Sequence, residues 1–251
     1  MGDLVFLLLV VIVAVGVGIG GMRRRDRQQR LMRLCAEAGL EFSAVDRFVD
    51  TTMLPFPLFS AAHASGVRNV VWDREDDELV RVFDHSFAVA SGETISVVVA
   101  ITCAIVTLPF NVPPIDIWVP GLRIWPTSPD GERVMLELEA FNARFDVRSS
   151  NAHAATAFLD QRMMRALLRL PLPVEVHVRE DRMLCVAKEL EPAEVLVMLQ
   201  AARDLRHRLP PVMRSLYPPR PMEGPFEDRW LQGSWSPGPT SAEPNPTDLG
   251  G

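Results

Sequence analysis

Hydrophobic positions along the chain fall into uninterrupted, helical and alternating runs, and each kind predicts a different element. The first uninterrupted run extends from Leu4 to Met22 and contains no charge and no proline. At about 1.5 Å of rise per residue, a helix of this length nearly spans the roughly 30 Å hydrocarbon core of a bilayer. We therefore predict a transmembrane anchor over residues 1–22. The rival interpretation, a cleaved signal peptide, requires a basic segment before the apolar run, and here the only charge before it is Asp3.

Five arginines follow the anchor directly, namely Arg23, Arg24, Arg25, Arg27 and Arg30. Under the positive-inside rule they predict a single-pass protein of the cell membrane, with its N-terminus outside and its C-terminal domain in the cytoplasm. The same side chains could bind anionic lipid headgroups of the bilayer. A topology signal alone is sufficient to explain them, so both interpretations stay open.

A helical pattern continues beyond the arginines. Apolar side chains recur at Leu31, Cys35 and Ala38, and Gly39 supplies a stop signal. These positions predict a basic juxtamembrane helix over residues 23–39.

Two glycines inside the anchor form a separate motif. Gly16 and Gly20 have the spacing that permits close pairing of two membrane helices. The sequence thus permits a homodimer through this face.

Alternating and apolar runs between residues 40 and 209 predict a soluble α+β domain, with a mainly antiparallel sheet and two or three packed helices. Val67–Trp72 and Leu79–Phe83 predict a hairpin around an acidic loop. The apolar run Thr94–Leu108 is long enough to suggest a second membrane crossing, but its β-branched residues favour a long central strand buried on both faces, with or without a bulge.

The remaining segments of this domain are predicted from periodicity and from turn residues. Residues 53–59 are apolar but interrupted by prolines, so we expect them to cover the core without joining the sheet. Two short strands are predicted at Ile115–Val119 and Arg133–Leu138, followed by a helix at Asn151–Leu170. A hairpin around Glu180 and Asp181 is predicted from the strands Val174–Val178 and Met183–Ala187, and a final helix at Pro192–Leu209.

The C-terminal segment has a different composition. Residues 210–251 contain ten prolines and five glycines. Such a segment cannot bury enough apolar surface to offset its chain entropy, so we predict a disordered tail.

Charge and cysteine usage exclude several classes of function. Residues 31–251 carry 21 basic and 30 acidic side chains, which argues against a nucleic-acid partner. Cys35, Cys103 and Cys185 have neither metal-site spacing nor the number that a disulfide framework requires, so we expect reduced, buried thiols. The sequence predicts no cofactor and no metal site.

No catalytic motif stands out, and the candidate chemistry is limited to four residues. Asp84 and His85 are adjacent, while Asn142 and Arg144 lie between two phenylalanines. In the structural interpretation the phenylalanines anchor a connection, Asn142 caps a turn and Arg144 pairs with a carboxylate. The leading functional hypothesis is a non-enzymatic, membrane-tethered binding or scaffold module with an unidentified protein partner. The alternative is an enzyme of unrecognised type at the membrane surface, in which these four side chains converge in a cleft.

The order of motifs resembles a known group of proteins. After the anchor come RNVVW, FDH, an apolar strand ending in LP, EAFNARFDV and DQRMMRALL. Over roughly residues 4–209 this order resembles an uncharacterised family of actinobacterial single-pass membrane proteins with a cytoplasmic α+β domain. The resemblance implies a fold and a topology but no catalytic residue.

Overall fold

A computed structural model describes residues 22, 24–48, 51–59, 65–73, 80–91, 95–121, 124 and 131–218. The predicted anchor, apart from Met22, lies outside these residues, as do the acidic loop at 74–79 and the tail from residue 219 onward. Among the described residues, no helix has both the length and the apolar character needed to cross a bilayer.

The described chain forms an α+β fold, as predicted, with more helices than the two or three expected. Residues 24–37 form the first helix, α1. The strands are β1 Glu41–Val45, β2 Ser65–Trp72, β3 Val80–Ser91, β4 Ile95–Trp118, β5 Glu132–Arg133, β6 Asp146–Ser149 and β7 Glu175–Lys188. The other helices are α2 Glu139–Arg144, α3 Ala152–Phe158, α4 Gln161–Leu168, α5 Pro192–His207 and α6 Val212–Leu216, with short 3-10 helices at Thr51–Met53 and Pro57–Phe59.

The seven strands form one antiparallel sheet around β4. β3 pairs with the first part of β4, and β6 pairs with its last residues on the same side. β7 pairs with the opposite side of β4 over Ile101–Ile117. The long central strand predicted at Thr94–Leu108 is therefore confirmed, but it is not buried on both faces throughout, because Val98 is 59% exposed. The separate strand predicted at Ile115–Val119 is wrong, because register shifts near Val112 let β4 continue through its prolines to Trp118.

The helices cover one face of the sheet, which we call the helical face. Leu31 and Cys35 of α1 and Leu199 of α5 belong to the same buried cluster as Val82 and Ala104 of the sheet. Gly39 has a φ of 70° just after α1, a backbone conformation that favours glycine, so the predicted helix stop is confirmed.

The opposite face, which we call the second face, is covered by the segment around residues 53–59. Phe56, Leu58 and Phe59 are buried there with Phe83 and Leu184 of the sheet. The prediction that this proline-interrupted segment covers the core is confirmed, because its backbone forms two short 3-10 turns rather than a strand.

The hairpin predicted around Glu180 and Asp181 is wrong. Residues Glu175–Lys188 form one continuous strand, β7, whose whole length pairs with β4. Glu180 has a φ of 53° and lies where the register shifts. A bulge at this position reverses which side chains of β7 face the helices. In the sequence, it appears as a break in the apolar pattern by polar residues, and a turn gives the same break.

Three other boundaries differ from the sequence prediction. The strand expected at Arg133–Leu138 is reduced to the two residues of β5, because the chain turns into α2 at Glu139. The helix expected over Asn151–Leu170 is divided into α3 and α4. Asn151 caps α3 as predicted, and Asp160 interrupts the helix because its carboxylate accepts a hydrogen bond from Met163 N–H and caps α4.

The ordered fold also continues past the predicted start of the tail at residue 210. α6 follows Pro211, and Met213 is fully buried in the core cluster of the helical face. Burial of this side chain provides the apolar contact that composition alone did not reveal.

Candidate binding site on the second face

Two buried carboxylates and two half-buried basic side chains meet where the end of β4 runs beside the start of β7. Asp116 and Glu175 are each 2% exposed. Asp116 lies opposite His177 in the strand register. Because side chains alternate along a strand, Glu175, His177 and Arg179 of β7 lie on the same side. The register of two distant segments thus assembles one charge cluster.

Hydrogen bonds connect all four members of this cluster. His177 Nδ1 lies 2.7 Å from Asp116 Oδ1, and His177 Nε2 lies 3.4 Å from Glu175 Oε2. Arg179 Nη2 donates to both carboxylate oxygens of Asp116, at 2.8 and 2.9 Å. Glu175 also accepts a hydrogen bond from the backbone N–H of Ile124. Two carboxylates therefore balance one guanidinium and one imidazolium.

The cluster changes the proton affinity of its members. Burial alone would lower the pKa of His177, but the hydrogen bonds and charges of Asp116 and Glu175 raise it above 6.5. Burial alone would raise the pKa of Asp116, but the hydrogen bond from His177 and the charge of Arg179 bring it below 3.8. Both shifts favour the charged forms, an imidazolium at His177 beside a carboxylate at Asp116.

A groove opens beside this cluster and has one polar and one apolar wall. It is shallow and partly open to solvent, with an accessible volume of about 20 Å³. His177 and Arg179 form the polar wall, and the apolar wall consists of Phe56, Pro57, Leu58, Leu184 and Val186. This arrangement can hold a small apolar group next to a charged or hydrogen-bonding one.

The sequence prediction missed this site. Its residues are distant in the chain, and the predicted hairpin would have paired the two halves of β7 with each other rather than with β4. The available signal was the alternation of Glu175, His177 and Arg179 with apolar residues. This alternation indicates a strand with one polar face.

Asp84, a predicted site residue, lies on the helical face in a different network. Its carboxylate accepts two hydrogen bonds from Arg27, at 2.9 and 3.1 Å. It also accepts hydrogen bonds from Asn69 at 2.9 Å and from Thr102 at 3.0 Å. The Thr102 hydroxyl in turn accepts a hydrogen bond from the backbone N–H of Leu190. The backbone carbonyl of Leu190 accepts a hydrogen bond from Arg27, which closes the network. This network joins α1, three strands and the start of α5.

His85 follows Asp84 on β3 and therefore points to the second face. Its ring lies against Phe59 at a centroid distance of 5.0 Å and against Phe87 at 6.0 Å. His85 is thus packed among aromatic rings on the opposite side of the sheet from Asp84.

Asn142 and Arg144 make local structural contacts from α2. The Asn142 side chain accepts from Leu136 N–H at 3.1 Å and donates to Leu136 C=O at 2.6 Å, so it fixes a turn as the structural interpretation proposed. Arg144 donates to the backbone carbonyl of Leu168 at 2.7 Å and lies over the Phe145 ring. Arg144 was expected to pair with a carboxylate. Its contacts within the described residues are instead with a backbone carbonyl and an aromatic ring, so this expectation is wrong.

The four predicted site residues thus occupy three places in the fold. Asp84 and His85 face opposite sides of one strand, and the described hydrogen bonds of Asn142 and Arg144 go to backbone groups near α2. These contacts do not form the cleft that the enzyme hypothesis required.

The predicted basic cluster is divided in a similar way. Arg27 is half-buried against Asp84, whereas Arg24 and Arg25 are exposed. Arg30 pairs at 2.9 Å with an exposed carboxylate one turn earlier. Arg23 lies outside the described residues. One arginine of the cluster therefore belongs to the folded domain.

The three cysteines are free and buried. Burial raises the pKa of Cys35 to about 11 and that of Cys185 to about 12, and it raises the pKa of Cys103 well above its usual value. These thiols are poor nucleophiles. Within the described ranges, no group of three or more His, Cys, Asp or Glu side chains could hold a metal ion.

Comparison with known proteins gives one structural similarity. No protein-family model matches the chain, and no curated protein matches its sequence. The fold is similar to the crystal structure of the mycobacterial trehalose monomycolate transport factor A, TtfA, with a TM-score of 0.52 and 16% sequence identity. The match covers 78% of this chain and 99% of that chain. At this identity, the similarity shows a common fold.

Proposed function

We propose that this protein is a single-pass membrane protein whose cytoplasmic α+β domain is a non-enzymatic binding or scaffold module for a membrane transport process. The observation that carries the proposal is the Arg27–Asp84 pair, because it joins the basic segment after the predicted anchor to the centre of the folded domain. The anchor, the orientation and membership of the actinobacterial family are parts of this proposal.

The short distance between the anchor and Arg27 supports a tethered domain. Arg27 lies five positions after Met22, which is roughly 8 Å at the rise of an α-helix. Arg27 is fixed to Asp84 and to the Leu190 carbonyl. A domain held this closely has little freedom to leave the bilayer surface.

The groove on the second face supports binding of a protein segment. Small-molecule sites usually enclose about 300–1,000 Å³. The groove, with an accessible volume of about 20 Å³ and open on one side, is far too small for a whole glycolipid. A partner would therefore contact it along its surface, with an apolar side chain against Pro57 and Leu58 next to the polar wall formed by His177 and Arg179.

The role in transport is proposed by analogy with the structural neighbour, whose name describes a transport factor for trehalose monomycolate. An accessory protein of a transporter needs a membrane anchor and a contact surface but no reaction centre. The fold and the groove meet the second requirement.

Photocrosslinking in the protein's own cells tests the binding role. A photoreactive amino acid at Pro57, on the exposed rim of the groove, should crosslink to a membrane protein. The same amino acid at Val197, which is 41% exposed on α5, serves as the control and should not. Equal crosslinking at both positions would argue against the groove as the contact site.

A second measurement tests the link to transport. Depletion of the protein should lower the amount of glycolipid at the cell surface, and the parent chain should restore it. Pro57→Asp should restore it less well, because it places a charge on the rim of the apolar wall. Unchanged surface glycolipid on depletion would reject the transport role, while carbonate-resistant membrane association reports separately on the anchor.

A further inference from the structure

Strands β3 and β4 extend beyond their neighbours at one end of the sheet. β2 pairs with β3 only as far as the Ser65–Phe87 pair, and β7 pairs with β4 only from Ile101 onward. Among the described strands, residues 88–91 and 95–100 therefore pair only with one another. We call these ten residues the hairpin extension.

The hairpin extension is apolar although no other described strand continues beside it. Eight of its ten residues are Ala, Val or Ile, and the other two are serines. Val98 is 59% exposed. Ala88, Val99 and Ala100 are half-buried. Two-stranded ribbons in water usually carry polar side chains on their open side, so an apolar sequence with an exposed valine at this place indicates a contact surface.

The direction of α1 places this ribbon at the same end of the domain as the N-terminus of α1, which the predicted anchor precedes in the chain. Arg27, near the start of α1, is bonded to Asp84 of β3. After α1 the chain enters the sheet at Glu41, which pairs with Trp72, and Trp72 pairs with Arg81. α1 therefore runs from the level of Asp84 to the level of Arg81. Its N-terminal end points towards the hairpin extension.

Cationic side chains lie at the same end. Arg24 and Arg25 precede Arg27 by less than one helical turn, and both are exposed. Apolar residues next to cations are the combination that binds the interface of an anionic bilayer. The arginines provide attraction to the headgroups, and the ribbon provides apolar area.

We propose that the hairpin extension lies in the headgroup region of the bilayer that holds the anchor, as a second membrane contact of the domain. This inference rests on the proposed function, because the anchor supplies the bilayer. Glu93, in the connection between the two strands, limits the expected depth to the interface, since a carboxylate in the hydrocarbon core is costly. Two contacts at one end fix the tilt of the sheet relative to the membrane.

A site-specific fluorophore on the full chain tests the inference. The full chain, reconstituted in vesicles of phosphatidylglycerol and phosphatidylcholine, carries an environment-sensitive thiol label at Val98→Cys. Met135→Cys is the matched control, because Met135 is 64% exposed and lies next to β6, which pairs with the far end of β4. The three native thiols are buried and should not react.

The expected result is a blue-shifted emission at position 98 and severalfold stronger quenching by spin-labelled lipid than at position 135. Equal emission and equal quenching at the two positions would overturn the inference. Shielding of position 98 in native membranes but not in pure lipid vesicles would also overturn it, and would indicate a protein partner. Resistance of the reconstituted chain to carbonate extraction is scored separately, so failure of the anchor is distinguishable from failure of the ribbon contact.

Discussion

The two buried charge networks of this domain lie on opposite faces of one sheet and differ in how they are built. The network of Arg27 and Asp84 contains no histidine and joins the ends of two helices to the sheet. The cluster of Asp116 and Arg179 contains His177, lies within two neighbouring strands and borders the groove. The difference suggests that the first network fixes the domain at the membrane end, whereas the second makes the groove wall sensitive to proton concentration.

The largest expected effect comes from removing the carboxylate of the first network. Asp84→Ala should lower the free energy of unfolding by about 3 kcal/mol, because Arg27, whose side chain is 14% exposed, loses both hydrogen bonds to Asp84 and keeps only the more distant carboxylate of Glu189 at 3.6 Å. Denaturation of the detergent-solubilised full chain by urea measures this loss. Asp181→Ala is the control, since its pair with Arg182 is half-exposed and should contribute about 0–1 kcal/mol. A loss for Asp84→Ala as small as that of the control would contradict the structural role assigned to this network.

A smaller effect is expected from neutralising the second network. Asp116→Asn should cost about 2 kcal/mol, because the charge-assisted hydrogen bonds to His177 and Arg179 are weakened. It should also lower the pKa of His177, measured by nuclear magnetic resonance of the ring protons. Asp84→Asn, in the other network, should leave the pKa of His177 unchanged. Equal shifts in both variants would show that the two networks are not independent.

The pH dependence of stability separates the networks further. The pKa of His177 is raised above 6.5, so its contribution is fully present below pH 6.5 and is lost as the pH rises through the folded-state pKa. The pKa of Asp116 is lowered below 3.8, so its contribution is present above pH 3.8 and is lost as the pH falls through its folded-state pKa. His177→Gln should remove the loss on the alkaline side. Unfolding free energies measured across this range should show no such loss in the variant, and a persistent loss would assign it to another group.

The smallest effects are expected at two residues that share a backbone conformation. Glu180 and Asn69 have φ values of 53° and 54°. Glu180→Gly should raise the free energy of unfolding by about 0.5–1 kcal/mol, because glycine adopts this conformation without strain. Asn69→Gly should lower it, because the hydrogen bond to Asp84 is lost. Thermal denaturation should give opposite signs, and two changes of equal sign would contradict this assignment.

Sequence reasoning predicted the elements whose signals are local. α1 stops just before Gly39, α3 begins after its Asn151 cap, and the β-branched run from Thr94 forms part of the central strand. In each case one residue type determines the local backbone conformation. The prolines of residues 53–59 likewise exclude a strand and leave only a covering segment.

What could not be predicted depends on pairing between distant segments. A polar interruption at Glu180 indicates a turn or a bulge equally well, and only the partnership of β7 with β4 distinguishes them. The candidate site follows from that pairing, since Asp116 meets His177 only in the observed register. Arg27 looked like one member of a uniform basic cluster, and its role becomes clear only when Asp84 is placed beneath α1.

The 24-residue length of β4 has a consequence for biosynthesis. One edge of this strand pairs with β3, which is made just before it, but the other edge pairs with β7, which begins at Glu175. At about 5–20 residues per second, translation needs several seconds to supply that partner. During this interval the nascent chain presents a long apolar strand edge, which can pair with other chains. Early formation of the β3–β4 hairpin protects only one edge, so the newly made protein depends on prompt completion of β7, or on a chaperone, to avoid aggregation.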